Sequence, residues 1–142
     1  MRCEEIMKRD VKCVQPTDPV QLAAKRMREA NIGFLPVCDS SKKVLGAITD
    51  RDIVLRIVAD GRPLTTAVGD VMTREVVACA AGDDVRRAEE LMGKQHKSRM
   101  IVADEDWRLL GVISLSDIAQ VEDAARASQT MKQVTEREAR PH

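Results

Sequence analysis

Tyrosine is absent from this chain, and phenylalanine and tryptophan occur once each, as Phe34 and Trp107. Two isolated aromatic side chains make no platform on which successive bases could stack. An excess of either charge is missing too: 23 Lys and Arg balance 23 Asp and Glu, so the basic footprint of a protein that grips nucleic acid or anionic membrane is lacking. Nucleic acid is therefore not an expected partner, and neither is a membrane. No apolar run approaches the roughly 20 residues needed to cross a bilayer, and no apolar signal core follows Met1, which predicts a cytoplasmic protein. There is no glycine-rich phosphate loop and no nucleophile motif. His96 and His142 have no carboxylate or cysteine at catalytic or ligand spacing and read as surface histidines, so an enzyme is not expected.

Cysteine is sparse and scattered. Cys3, Cys13, Cys38 and Cys79 never reach the C-x-x-C spacing of a zinc or redox motif. Cys13, Cys38 and Cys79 sit in apolar runs, where an inert buried thiol is the ordinary outcome. Cys3, near the terminus, is the expected reactive one. No metal site is expected, although a thiol- or metal-responsive protein is kept as an alternative.

What the chain does contain is itself, twice. Val44-Leu45-Gly46-Ala47-Ile48-Thr49-Asp50-Arg51-Asp52-Ile53 recurs 65 positions later as Leu109-Leu110-Gly111-Val112-Ile113-Ser114-Leu115-Ser116-Asp117-Ile118. Aligned at that offset without a gap, residues 6–53 and 71–118 share 14 identities in 48 positions, where average usage would give roughly three. Two copies are too few for an open solenoid, whose units need three or more neighbours to bury their faces. A pseudo-twofold arrangement of two covering units is expected, with a first motif at 6–59, a linker at 60–70, a second motif at 71–120 and a helical or frayed tail at 121–142.

Within the first repeat, Val11-Lys12-Cys13-Val14 reads as a short strand. Asp18 and Pro19 read as N-cap and first residue of a helix over 20–30, whose Val20, Ala23, Ala24, Met27 and Ala30 fall on one stripe. Phe34–Cys38 and Val44–Thr49 read as an antiparallel hairpin about a polar turn. Pro36 lacks a ladder donor, which places it at an edge or an open backbone position. Asp50–Ala59 reads as a second helix carrying Ile53, Val54, Ile57 and Val58. The second repeat copies the plan: strand 76–79, helix 85–95, strand 99–103, turn 104–106, strand 108–113 and a helix from Leu115. An apolar stripe continuing into the tail through Val121, Ala124, Ala125, Met131 and Val134 reads as a candidate dimer surface or a frayed end. The fold class is α/β (α+β).

Thr49-x-x-Asp52 and Ser114-x-x-Asp117 have two readings. As capping boxes, hydroxyl and carboxylate satisfy the orphan N–H groups of the following helix. As a ligand motif, the helix N-terminus, with Arg51, favours an anion.

The order strand, helix, strand, strand, helix, repeated, resembles the CBS domain pair, or Bateman module. The most specific pieces are Gly33-Phe34-Leu35-Pro36-Val37 and the two strand-to-helix segments above. A stand-alone chain of two motifs is similar to small bacterial members such as the hypoxic response protein family. The resemblance implies two clefts for adenosyl ligands (AMP, ADP or ATP, sometimes S-adenosylmethionine or a dinucleotide), a homodimer, and a regulated partner, with no cofactor required. It implies that Asp52 and Asp117 hold ribose hydroxyls. Thr49, Arg51, Ser114 and Ser116 match the positions that meet ribose or phosphate, and Ile32, Gly33, Phe34, Leu35 and Pro36 match the stretch beside the adenine. In the second repeat Arg99 and Met100 stand at that stretch, and the family's glycine and proline are missing, being Ser98 and Ile101. That departure leaves a ligand-free dimerising scaffold as a further alternative.

Overall fold

The computed structural model describes residues 1–121 and 124–139; His142 and the end of the 121–142 tail lie outside them. In chain order the elements are α1 (Cys3–Ile6), α2 (Val20–Ala30), β1 (Phe34–Cys38), β2 (Val44–Thr49), α3 (Asp50–Ile53), which runs on as a π-helical turn over Val54–Val58, and a 3-10 turn at Val68–Asp70. There follow β3 (Ala78–Cys79), α4 (Val85–Gln95), β4 (Arg99–Ala103), β5 (Leu109–Ser114), α5 (Leu115–Val121) and α6 (Ala124–Ala139). The mixed α/β class and the tandem plan are those expected. The chain forms two compact units: Val11–Val76 with Asp106–Leu109, called here the first-repeat unit, and Met1–Asp10 with Val77–Glu105 and Leu110–His142, the second-repeat unit.

The units do not follow the repeat boundaries, because the leader of each repeat crosses over. In the first-repeat unit Thr73 pairs with Ala47, N–H to carbonyl at 2.8 and 2.9 Å. At the same offset in the second-repeat unit, Lys8 pairs with Val112 at 2.9 and 3.0 Å. Two repeated glycines make room for these crossings. A Cβ on Gly46 would lie 2.6 Å from the Thr73 carbonyl oxygen, and one on Gly111 2.7 Å from that of Lys8, so no side chain fits at either place.

The first-repeat unit folds α2 and the β1–β2 hairpin around Val14, Val20, Ala23, Leu35, Val37, Ile48, Ile57 and Val68. Burying a Leu or Ile of this set contributes roughly 1.5–3 kcal/mol. α2 ends at Asn31 in the left-handed region (φ 55), and α4 ends in the same way at His96 (φ 54). Lys42 (φ 68) and Trp107 (φ 64) match likewise in the two hairpin turns. The repeat is thus kept in backbone conformation where residue types have diverged. In the second-repeat unit Met92, Met100, Val102, Ile113 and Ile118 fill the core.

The two sheets differ by one strand, and Pro36 is the reason. Val14 donates to the Pro36 carbonyl at 3.1 Å and accepts from the Cys38 N–H at 2.9 Å, forming one parallel bridge with Val37. The next bond of that ladder would need an N–H on residue 36, which proline lacks. The expected strand 11–14 is therefore reduced to the single bridge at Val14. In the second repeat Ile101 takes its place and donates to Val77 at 3.4 Å; the ladder extends, Ala78 pairing with Ile101 and Cys79 with Val102, in a sheet ordered β3-β4-β5.

Three further expectations are corrected. Asp18 does not cap α2: its carboxylate accepts from Gln15 N–H at 2.8 Å, and Pro19 stands at the N-cap. The helix after β2 is not regular, and its π-helical turn exposes Val54 by 54% and Val58 by 67% while Ile57 stays at 1%. Arg56 on that turn donates to the carbonyls of Val71 and Met72 at 2.8 and 3.2 Å. The tail packs along α4 rather than presenting its whole stripe. Val134 and Thr130 are buried, Arg126 pairs with Glu89 at 2.9 Å, and His96 Nδ1 bonds the Gln133 carbonyl at 2.8 Å; Met131 remains half exposed.

Candidate functional site

The strand-to-helix turns form the same structure twice. In the first-repeat unit Thr49 Oγ1 accepts from the Asp52 N–H at 3.1 Å, and Asp52 Oδ2 accepts from the Thr49 N–H at 3.0 Å. In the second-repeat unit Ser114 Oγ accepts from the Asp117 N–H at 3.1 Å, and Asp117 Oδ2 accepts from the Ser114 N–H at 2.9 Å. Both are reciprocal capping boxes, which satisfy two orphan donors at the mouth of each helix. The capping reading is thus realised at both turns.

A carboxylate has two oxygens and about four acceptor positions, and the box occupies one of the oxygens. The other meets the leader residue that crosses the strand beside it. Asp52 Oδ1 accepts from Thr73 Oγ1 at 3.3 Å and lies 3.9 Å from Arg56 Nη1. Asp117 Oδ1 lies 3.7 Å from Lys8 Nζ. Thr73 and Lys8 are themselves one repeat apart, so the scaffold places a leader side chain at the free oxygen in both units, a hydroxyl in one and an ammonium in the other. Asp52 is nearly buried, with 10% of its side chain exposed, and Asp117 keeps 16%. Neither turn is sealed: Thr49 and Asp117 are half-buried, and Arg51 and Ser116 are exposed.

The hairpin register gathers the other first-repeat candidates. Phe34 sits opposite Thr49, Leu35 opposite Ile48 and Pro36 opposite Ala47. Gly33 accepts from Asp50 N–H at 3.0 Å, and a Cβ there would lie 2.5 Å from the Asp50 carboxylate. Ile32, Gly33 and Phe34 are half-buried beside the turn, whereas Leu35 and Pro36 are buried. Leu35 belongs to the core, which leaves only its main chain to face a ligand. In the second repeat Ser98 accepts from Leu115 N–H at 2.9 Å, the counterpart of the Gly33–Asp50 bond. Arg99 follows, half-buried, while Met100 is a core side chain. Ser116 Oγ bonds Ser114 Oγ at 2.8 Å.

Thr73, Lys8 and Arg56 were not identified from sequence. The offset of 65 that matches Lys8 with Thr73 was available, but nothing in the residue types says that a leader crosses to the strand preceding an aspartate. A separate groove of about 520 Å³ lies between α4 and α6, lined in part by Arg86, Glu89, Lys94, His96, Arg126 and Glu136. It contains none of the repeated motif residues.

The cysteines fall into two couples. Cys3, expected to be reactive, is fully buried, with its sulfur 3.5 Å from that of buried Cys79. Cys13 is half-buried and Cys38 buried, and the Val14–Val37 bridge sets their two segments side by side.

A family model described as the CBS domain matches residues 3–59 and 68–124; most of α6 lies beyond the match. An uncharacterized protein of Methanopyrus kandleri is 31% identical over 119 residues, which are 83% of this chain and 61% of that protein, so the chain spans less than two thirds of that relative. Hypoxic response protein 1 of Mycobacterium tuberculosis is 32% identical over 117 residues, 82% of this chain and 81% of that protein. A crystal structure of Hypoxic Response Protein I with two coordinated zinc ions superposes with a TM-score of 0.79 at 30% identity, over 87% of this chain and all of that one. The CBS domain pair of protein MJ0100, solved in complex with 5'-methylthioadenosine and S-adenosyl-L-methionine, gives 0.77 at 25% identity over 85% of this chain and 94% of that one. Among the described residues of this chain, no group of three or more His, Cys, Asp or Glu could hold a metal ion, and no helix is long and apolar enough to cross a membrane.

Proposed function

The chain belongs to the CBS domain family, with two copies of the domain in tandem, and from that premise we propose that it is a regulatory module that binds an adenosyl ligand, AMP, ADP or ATP, and passes its occupancy to a partner protein. The observation that carries this reading is the arrangement around Asp52 and Asp117. One oxygen of each carboxylate closes a capping box, and the other faces a side chain that can move. A ribose diol can take that second oxygen without dismantling the helix start. The N–H groups of these turns are mostly engaged by the capping boxes and the preceding strands, so a phosphate is favoured by the cations beside them, Arg51 at the first repeat and Lys8 at the second.

The assignment of Ile32 through Pro36 to the adenine side, and of Thr49, Arg51, Asp52, Arg99, Met100, Ser114, Ser116 and Asp117 to the ligand, belongs to this proposal, with Leu35 and Met100, whose side chains are core, contributing main chain only. The adenosyl compounds bound by the MJ0100 pair support the ligand class. Cellular adenylates are abundant, so a dissociation constant from micromolar to millimolar, about 4–8 kcal/mol, suffices. The reading includes a cytoplasmic homodimer, for which exposed Val54, Leu55 and Val58 offer an apolar face, measured by light scattering of the purified protein. It involves no catalysis.

Calorimetric titration with AMP, ADP and ATP tests the proposal: saturable binding of at least one is the expected result, and no heat from any of the three up to millimolar concentration would overturn it. One observation favours the ligand-free scaffold, namely that both aspartates are already engaged by their own main chain. A dimer that binds no adenosyl compound would establish that alternative.

A further inference from the structure

The four cysteines lie far apart in sequence yet meet in two couples, one per unit, and the internal repeat shows that the couples are not alike. Cys3 and Cys79 correspond, one repeat away, to Val68 and Val14, which are buried core residues of the first-repeat unit. Cys3 and Cys79 are buried in the same manner, at 0% and 6% exposure. They fill the volume that valines fill elsewhere, as free cysteines in cores do. Cys13 and Cys38 correspond instead to Ala78 and Ala103. The scaffold needs no sulfur at those positions, and both thiols are additions to what the fold requires.

The surroundings of the second couple are also different. Val14 bridges Val37, with Cys38 N–H on the Val14 carbonyl at 2.9 Å, which holds the segment bearing Cys13 beside the one bearing Cys38. The guanidinium of Arg26, from α2, donates to the Cys13 carbonyl. Cys13 is half-buried and Cys38 fully so, giving one thiol open to a small reagent and a second, shielded one on the bridged neighbouring segment.

We propose that Cys13 and Cys38 form a peroxide-reactive couple, Cys13 being the attacking thiolate and Cys38 the resolving thiol. Cys13 sulfur attacks one oxygen of hydrogen peroxide, breaking the O–O bond to give a sulfenic acid at Cys13 and hydroxide. The Cys38 sulfur then attacks the Cys13 sulfur; the disulfide forms, the sulfenic oxygen leaves as water with the Cys38 proton, and the hydroxide takes up a solvent proton. Two thiols are oxidised by two electrons, and one peroxide is reduced to two waters. The charge environment supports the roles. The hydrogen bond from Cys38 is the largest cause holding the Cys13 thiol down to about 6; Arg26 and Lys42 act in the same direction, and burial and Asp18 oppose them. The same hydrogen bond, then burial, the Cys13 charge and Asp39, pushes the Cys38 thiol upward, so Cys38 keeps its proton while Cys13 ionises; Cys3 and Cys79 are shifted in the same opposed directions, and what sets the second couple apart is that its acidic thiol is half-buried rather than buried.

The test uses the full-length reduced protein exposed to a small excess of hydrogen peroxide at pH 7, followed by peptide mapping. A disulfide between Cys13 and Cys38, formed before any modification of Cys3 or Cys79, is expected; Cys38→Ala, which copies Ala103 of the other repeat, should accumulate a sulfenic acid at Cys13 that dimedone traps. The pH profile of Cys13 alkylation by iodoacetamide in the unsubstituted protein should have its midpoint near pH 6. The midpoint is the diagnostic because the lower nucleophilicity of an acidic thiolate offsets much of its greater abundance at pH 7. An alkylation midpoint near the ordinary thiol value of about 8.5, or oxidation of Cys3 and Cys79 first, would overturn the proposal.

Discussion

Asp52 has two roles in the structure, and two substitutions separate them. Asp52→Ala removes the acceptor for the Thr49 N–H at 3.0 Å, the partner of Thr73 Oγ1 at 3.3 Å and the counter-ion of Arg56 at 3.9 Å. Loss of a capping interaction costs about 1 kcal/mol. A stranded N–H adds about 1–3 kcal/mol when buried, and the lower end applies because Thr49 is half-buried and water can reach it. The ion pair contributes under about 1 kcal/mol, since nearly half of the Arg56 side chain is exposed. The sum is about 2 kcal/mol, or roughly 4–8 °C in Tm for a chain of this size. Asp52→Asn keeps an oxygen for the Thr49 N–H and should lose less than about 1 kcal/mol. The diol contact behaves differently, because a hydrogen bond to a charged acceptor is stronger by about 1 kcal/mol than one to a neutral acceptor. AMP binding to Asp52→Asn should therefore weaken about five- to tenfold at that site. Urea denaturation followed by circular dichroism measures the first quantity and calorimetry the second. If Asn proves as destabilising as Ala, the capping geometry is not what holds this turn; if Asn binds AMP like the unsubstituted protein, Asp52 does not meet the diol.

Three other outcomes are expected. Gly46→Ala should destabilise by about 2 kcal/mol or more, because its Cβ must displace the Thr73 backbone from 2.6 Å, and Gly111→Ala should do the same at Lys8; urea midpoints within experimental error of the unsubstituted protein would contradict the leader crossings. Ile57→Ala should cost about 2–5 kcal/mol and Val58→Ala less than about 0.5 kcal/mol, since their exposures are 1% and 67%; comparable costs at the two positions would mean that the turn after α3 is an ordinary α-helix with both on its buried stripe. The Asp39 carboxyl is held below its usual value, first by the Ser41 hydroxyl, and that of Asp84 first by the Arg86 N–H. A depressed carboxyl pKa gives stability that is present above the unfolded value of about 4 and lost as pH falls through the lower folded value. Urea stability of Asp39→Asn and Asp84→Asn should therefore differ from the unsubstituted protein at pH 7 and converge with it in that acid window.

The cysteine couples and the capped turns show how far residue pattern reaches. Helices at 20–30 and 85–95, the strands 34–38 and 44–49, and the two hydroxyl-x-x-Asp turns were all legible, because each depends on apolar period, turn chemistry and capping over a few neighbouring residues. The partners of the free carboxylate oxygens were not. Lys8 and Thr73 lie 109 and 21 positions from the aspartates they meet, and only the leader crossings bring them there. The pairing of Cys3 with Cys79 and of Cys13 with Cys38 is equally invisible, since spacing along a chain carries no information about distance across a sheet.

One residue marks the border between the two kinds of knowledge. That Pro36 stands where the second repeat has Ile101 was plain from the alignment, and so was its missing donor. What the chain alone decided was the duplication, the fold class and the turn that begins each second helix, because these rest on local periodicity and short-range hydrogen bonds. Tertiary structure decided which edge of β1 the missing N–H would face. Through that it left one unit with a two-stranded sheet and gave the other three strands, since a ladder extends only where donors and acceptors from distant segments coincide.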